Sequence, residues 1–222
     1  MSQPDRSTAR RLAAESLAQG DPTGWFDKLY IHAEGDASRI PWADRCVNLH
    51  LAAWLARRGS EALGQRALVV GCGLGDDAEA LAAIGYRVTA FDVSSAAVAW
   101  CRQRFSASQV DYCVADLLNL PEAWTAAFDF VVEIYTLQVL PVELRPVAMA
   151  QLARTVAPGG TLLVVARGRG AEEDRGTMPW PLEREEIDSF HRLGLETALF
   201  EEFLDEEIPP VRRFRVELRR AT

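Results

Sequence analysis

The sequence predicts an α/β fold of the Rossmann-like kind: a seven-strand, mostly parallel sheet with helices on both faces and a C-terminal antiparallel hairpin. Three observations predict it. Short apolar runs alternate with helical patterns from Ala67 to Ala166, the rhythm of a parallel sheet built through crossover helices. The first strong run, Ala67-Leu68-Val69-Val70, passes directly into a glycine turn, Gly71-Cys72-Gly73-Leu74-Gly75. The last two strand-like runs, Thr197–Leu204 and Val211–Leu218, have no helical pattern between them, which suits an antiparallel pair.

In chain order, Asp5–Leu17 reads as an exposed helix. A segment rich in Gly, Pro and Asp follows, Gly20–Pro41, whose Trp25, Phe26 and Tyr30 mark it as a lid. Ala43–Arg58 reads as a second helix, and Ala67–Val70 as the first strand. After the glycine turn come a helix from Asp77 to Ile84, a strand Arg87–Phe91, a helix Ser95–Phe105 and a strand Val110–Val114. Phe128–Tyr135 is the fourth strand and Val142–Val156 the next helix. Pro158-Gly159-Gly160 punctuates before a buried strand, Thr161–Ala166. A charged loop, a helix Glu183–Leu193 and the hairpin complete the chain. With 222 residues, 49% of them hydrophobic, the chain is expected to form one domain, 1–222, in which 1–60 supply N-terminal helices and lid and 61–222 the core.

Charge limits the partners. The 24 Lys and Arg against 32 Asp and Glu leave a net charge of −8, which repels a polyphosphate backbone, so nucleic acid is not expected. Met1–Gln19 lacks the apolar run of a signal peptide, and nowhere do eighteen apolar residues run together. A cytoplasmic protein without a membrane partner, monomeric or a small homo-oligomer, is expected. Cys46, Cys72, Cys101 and Cys113 form no CxxC pair and have no His at ligand spacing, so neither zinc nor a disulfide framework is expected.

The glycine turn carries the chemistry. Glycines let the backbone adopt positive φ and approach a ligand, and the following helix offers free N–H groups. About twenty residues on, Asp92 ends the second strand beside Val93, where a carboxylate can accept both hydroxyls of a ribose. A dinucleotide site spaces its third glycine as GxGxxG to seat a pyrophosphate; here the spacing is GxGxG. S-adenosylmethionine carries no phosphate, so this turn suits its ribose and zwitterionic tail. Asp116, followed by Leu117, ends a third strand where an acid can meet an adenine amino group, and Glu133 ends a fourth. Such acids suit adenosine and a sulfonium better than a pyrophosphate.

At these residues the chain resembles the class I S-adenosylmethionine-dependent methyltransferases, and among them the thiopurine and halide/thiol methyltransferases. Like the halide/thiol enzymes it lacks an acid two residues before the first glycine, having Val69 there. Trp25 with Tyr30, then Pro41-Trp42, resembles the Trp-rich segment that folds over the cofactor in this group. Phe128–Tyr135 and Leu140–Pro146 resemble the group's fourth strand and following helix, and Met178–Leu182 its substrate-side proline segment. The resemblance implies cofactor contacts from Gly71, Cys72, Gly73, Gly75, Asp92, Val93, Asp116, Leu117 and Glu133, with Trp25, Tyr30 and Trp42 as lid.

Methyl transfer from a sulfonium is an in-line displacement, so alignment and removal of water are the main tasks. A thiol acceptor, as its thiolate, needs no base. An oxygen acceptor wants one, and Glu133, Tyr135 and His32 are the candidates. Arg167 follows the fifth strand, where it can hold an acidic acceptor, and Tyr135 and Trp180 can wall its pocket. The expected activity is methylation of a small molecule, with a thiol as one acceptor and O- or N-methylation as alternatives. Two other readings share the turn and the acid: a nicotinamide-dependent oxidoreductase and a catalytically silent cofactor-binding module.

Overall fold

In the computed structural model, which describes residues 6–58 and 62–222, the run Ala67–Val70 forms the inner part of β1 (Arg66–Val70), with no side chain of that run more than 4% exposed. α4 (Asp76–Ala83) leads to β2 (Arg87–Asp92), and α5 (Ser95–Arg104) to β3 (Asp111–Val114). Both pairings are parallel, with Val70 opposite Phe91 and Asp92 opposite Val114. Each crossover thus returns the chain to the same end of the sheet, and the turn after β1, Asp92 and the residues after β3 gather there.

Before β1 the chain makes α1 (Ser7–Ala18), α2 (Gly24–Ala33) and α3 (Leu49–Arg58). The expected start of the first helix at Asp5, and the expected boundary between residues 60 and 61, lie outside the described residues. Two expectations are corrected here. The segment read as a lid, with no helix assigned to it, contains α2, because Asp21 Oδ1 accepts the N–H groups of Thr23 (3.3 Å) and Gly24 (2.8 Å) and so starts a helix. Its Trp25, Leu29, Tyr30 and Ala33 recur at helical spacing and bury one face. The helix expected from Ala43 begins only at Leu49, where the Asn48 side chain accepts from His50 N at 2.9 Å.

These elements, through Asp116, make one compact unit; the residues from Leu117 onward make another. In the second, β4 (Phe128–Ile134), α6 (Arg145–Thr155) and β5 (Val156–Arg167) form a parallel crossover. α7 (Arg184–Asp188), β6 (Leu195–Leu204) and β7 (Arg212–Arg220) follow, and β7 pairs antiparallel with both β5 and β6. Pro158-Gly159-Gly160 does not precede the strand but lies within it. A register shift opposite Phe128 and Phe130 absorbs the extra residues, and a Cβ on Gly160 would sit 2.8 Å from Ala157 O. The helix expected over Glu183–Leu193 is α7 followed by a 3₁₀ turn, stopped by Gly194 at φ +79°. The seven strands form one mixed sheet in the order β3-β2-β1-β4-β5-β7-β6, with the antiparallel pairs at the C-terminal end, as the sequence predicts.

Candidate functional site

The glycine turn is held from several sides. Gly71, Gly73 and Gly75 all have positive φ. Gly75 is the tightest: at φ +91°, a Cβ there would lie 2.6 Å from Tyr112 Oη and 3.2 Å from Cys101 Sγ. Arg104, at the end of α5, pairs with both carboxylate oxygens of Asp76 at 2.9 Å and donates to Leu74 O. The first turn of α4 holds Asp76, Asp77 and Glu79. Acids there suit the helix dipole but oppose a pyrophosphate at the same helix end, which favours a phosphate-free ligand.

Asp92 is buried at 6% exposure and joins β2 to this turn. Its Oδ2 accepts from Gly73 N at 3.0 Å and its Oδ1 from Ser94 N at 2.9 Å. Burial pushes its carboxyl up to about 6, against those backbone donors. A carboxylate has about four lone-pair positions, so acceptor capacity remains on Asp92 beyond its backbone donors. Val93 and Asp116 are half-buried after their strands, and Ala115 N donates to Asp92 O at 3.1 Å. Cys72 is buried; contact with Cys101 and burial hold its thiol well above the ordinary range, so it contributes backbone rather than a nucleophile.

Trp25, Tyr30 and Trp42 come together around Phe26 and Trp100. Trp42 Nε1 donates to Tyr30 Oη at 2.9 Å, Trp25 meets Trp42 edge-on at 6.1 Å, and Trp25 stacks on Phe26 at 3.9 Å. A Cβ on Gly73 would lie 3.3 Å from Tyr30 Oη and 3.9 Å from the Trp42 indole. Two of the three aromatics expected in the lid, Tyr30 and Trp42, therefore lie beside the glycine turn, whereas Trp25, at 1% exposure, packs against Phe26 and Trp42. Burial, and then the Asp92 charge, push the Tyr30 hydroxyl well above its usual range. His32 is exposed on α2, off the face that carries Trp25 and Tyr30.

Among residues 117–222, Leu117 is buried and Glu133 is fully so. Glu133 Oε1 accepts from Thr136 N at 2.6 Å and Leu137 N at 2.9 Å, while its Oε2 has no hydrogen-bond partner among the described residues. Burial raises its carboxyl to about 7, although those two N–H groups and Arg145 pull the other way. Tyr135 has φ +65°, a strained value for a residue with a Cβ, held by its N–H to Val165 O at 2.9 Å. The Arg213 guanidinium lies 4.8 Å from its ring centroid. Trp180 is pinned by its own backbone: its N–H donates to Gln138 O at 2.7 Å and its carbonyl accepts from Arg145 Nη2 at 2.8 Å. Gln138 Oε1 also takes Arg167 N at 2.7 Å.

Several residues of this framework carry no sequence signal. Asp27 accepts from Ser94 Oγ at 2.7 Å and Ala96 N at 3.0 Å, fastening α2 to the start of α5. Gln138 and Arg145 matter through partners 29 and 35 positions away, and Arg213 through strand register, neither of which periodicity reveals. Among the described residues no helix is long and apolar enough to cross a membrane, and no group of three or more His, Cys, Asp or Glu could hold a metal.

A mostly parallel α/β sheet with a GxGxG turn and an acid at the end of the second strand defines a protein of the Rossmann-like class. The sequence profile of the methyltransferase domain matches residues 67–160. A ubiquinone biosynthesis O-methyltransferase of Thiobacillus denitrificans is 33% identical over 174 residues, 78% of this chain and 67% of that protein. Its counterpart in Xanthomonas oryzae pv. oryzae is 36% identical over 109 residues, and the chain spans only 44% of that relative's length. The structure of magnesium protoporphyrin IX methyltransferase from Synechocystis with bound S-adenosylhomocysteine superposes with a TM-score of 0.68 at 20% identity, covering 88% of this chain and 98% of that one. The chain belongs to the class I S-adenosylmethionine-dependent methyltransferases.

Proposed function

We propose that this protein methylates a small molecule, at oxygen in the first instance. The observation that carries the cofactor half is the glycine turn tied to the Asp92 carboxylate and flanked by Tyr30 and Trp42. Backbone groups of Gly71, Cys72, Gly73 and Gly75 approach the ligand, Asp92 and Val93 take the ribose, and Asp116 with Leu117 takes the adenine. Tyr30 and Trp42 exclude water, with Trp25 behind them. When bound, S-adenosylmethionine supplies an electrophilic methyl group on a sulfonium.

Support for an oxygen acceptor comes from the relatives named O-methyltransferases and from Glu133. A buried carboxyl raised to about 7 with one unpartnered oxygen suits either a proton acceptor near neutral pH or a hydrogen-bond partner of the ligand. Tyr135 and Trp180 wall the acceptor and Arg167 lies at its edge; exposed His32 takes no part. A thiol acceptor is the second reading, favoured by Val69 before the turn and by the Trp-rich segment around Trp42. We read the whole chain as one functional domain, with its first sixty residues closing the cofactor site.

The test supplies S-adenosylmethionine labelled on its methyl group together with catechols, phenols and aliphatic and aromatic thiols, and follows formation of S-adenosylhomocysteine. Turnover with catechols or phenols is expected. Turnover confined to thiols would replace the oxygen assignment, and none in a protein that binds the cofactor would overturn the enzymatic reading.

A further inference from the structure

Arg167 and Arg213 stand directly opposite one another on β5 and β7. Opposed residues of an antiparallel pair project to the same face, and like charges there repel. The loop between β6 and β7 offsets this with two carboxylates that play different parts. Asp205 is part of the frame: Oδ2 accepts from Arg213 Nε at 2.6 Å, and Oδ1 from Glu207 N at 3.0 Å and Val211 N at 2.9 Å. Glu207 is seated less well. Its Oε1 accepts from Arg213 Nη2, but its Oε2 lies 3.5 Å from Arg167 Nη2 and, though sealed from solvent, accepts no hydrogen bond from any described residue.

Asp205 serves Arg213, and the Glu207 carboxylate lies between the two guanidinium groups, where a two-arginine anion site would hold a ligand. The Tyr135 ring lies against Arg213, giving the site a flat aromatic wall. Leu204 and Ile208, on either side of the two acids, are 67% and 71% exposed, apolar surface that a ligand could cover.

We infer that the Arg167–Arg213 pair binds a planar carboxylate carried by an aromatic methyl acceptor, and that Glu207 fills this site from within until the acceptor's carboxylate displaces it. A bidentate carboxylate would accept hydrogen bonds from both guanidinium groups at once, whereas Glu207 accepts one only from Arg213. That the ligand is the acceptor rests on the methyltransferase reading; the anion site itself does not.

The test titrates the full chain with benzoate and with benzamide, its neutral isostere, in the wild type, Glu207→Gln and Arg167→Gln, with melting curves to confirm folding. Amide exchange over residues 205–211 is followed in parallel. Benzoate is expected to bind at least about tenfold more tightly than benzamide. Glu207→Gln, which keeps the shape and removes the competing charge, should tighten benzoate roughly tenfold and leave benzamide unchanged. Arg167→Gln should abolish the preference, and benzoate should speed exchange over 205–211. Equal binding of the two probes, or a preference that Glu207→Gln leaves as it was, would overturn the proposal. S-adenosylhomocysteine uptake is measured separately on the same samples, so its failure counts against the methyltransferase reading and not against the anion site.

Discussion

Gly75 and Gly20 share a left-handed backbone, φ +91° and +75°, but not a neighbourhood: nothing lies within 4 Å of a Cβ built on Gly20. Gly20→Ala should therefore cost only the conformational strain, about 1 kcal/mol. Gly75→Ala adds a clash with Tyr112 and should cost roughly 1–3 kcal/mol more, seen as a lower midpoint in denaturant unfolding. Glu133 makes a second prediction. Its carboxyl lies at about 7 when folded against an ordinary value of 4.5, so its contribution to stability is whole below about 4.5 and is lost as pH rises through about 7. Unfolding titrations of the wild type and Glu133→Gln should diverge above pH 5, with the variant gaining on the order of 3 kcal/mol relative to the wild type by pH 8. Parallel curves would mean that this carboxyl stays ionised in the fold. The glycines and Asp92 were legible because their spacing is itself the signal. The Tyr135 backbone strain was not, since no residue type announces it.

At the level of elements, α2 shows how local chemistry gives the proposed lid its place. Asp21 starts the helix, the apolar face fixes its orientation, and Asp27 ties it to the first N–H groups of α5. Asp27→Ala removes that tie and should cost about 1 kcal/mol. Amide exchange across residues 24–33 should quicken while α4 and β1 keep their protection, and S-adenosylmethionine affinity should fall; unchanged exchange would show that aromatic packing alone holds α2. The aromatic content of this segment was readable, but its helix was not, because Gly24 and the Pro/Asp surroundings resemble a loop until the Asp21 cap is known. Similarly, Pro158-Gly159-Gly160 looks like a stop signal. It becomes a bulge in β5 because β4 offers a partner on both sides of it, which is a tertiary fact.

For the whole molecule, alternation of apolar runs with helical patterns was enough to predict seven strands, their mostly parallel sense and the antiparallel pairs at the C-terminal end. It could not place β7 between β5 and β6, and that placement is what sets Arg213 opposite Arg167 and against Tyr135. The proposed cofactor side was thus largely readable in contiguous motifs, while the proposed acceptor side, which draws on strand register and a loop, was readable only in part. Binding of S-adenosylmethionine at the glycine turn underlies the proposed activity. Calorimetric titration of the purified chain with S-adenosylmethionine and with NAD, repeated on Asp92→Ala, tests it most directly. Uptake of S-adenosylmethionine that Asp92→Ala weakens by roughly 10- to 100-fold, the loss of hydrogen bonds to a charged group, is the predicted result. Uptake of NAD, or of neither ligand by the folded wild type, would contradict it.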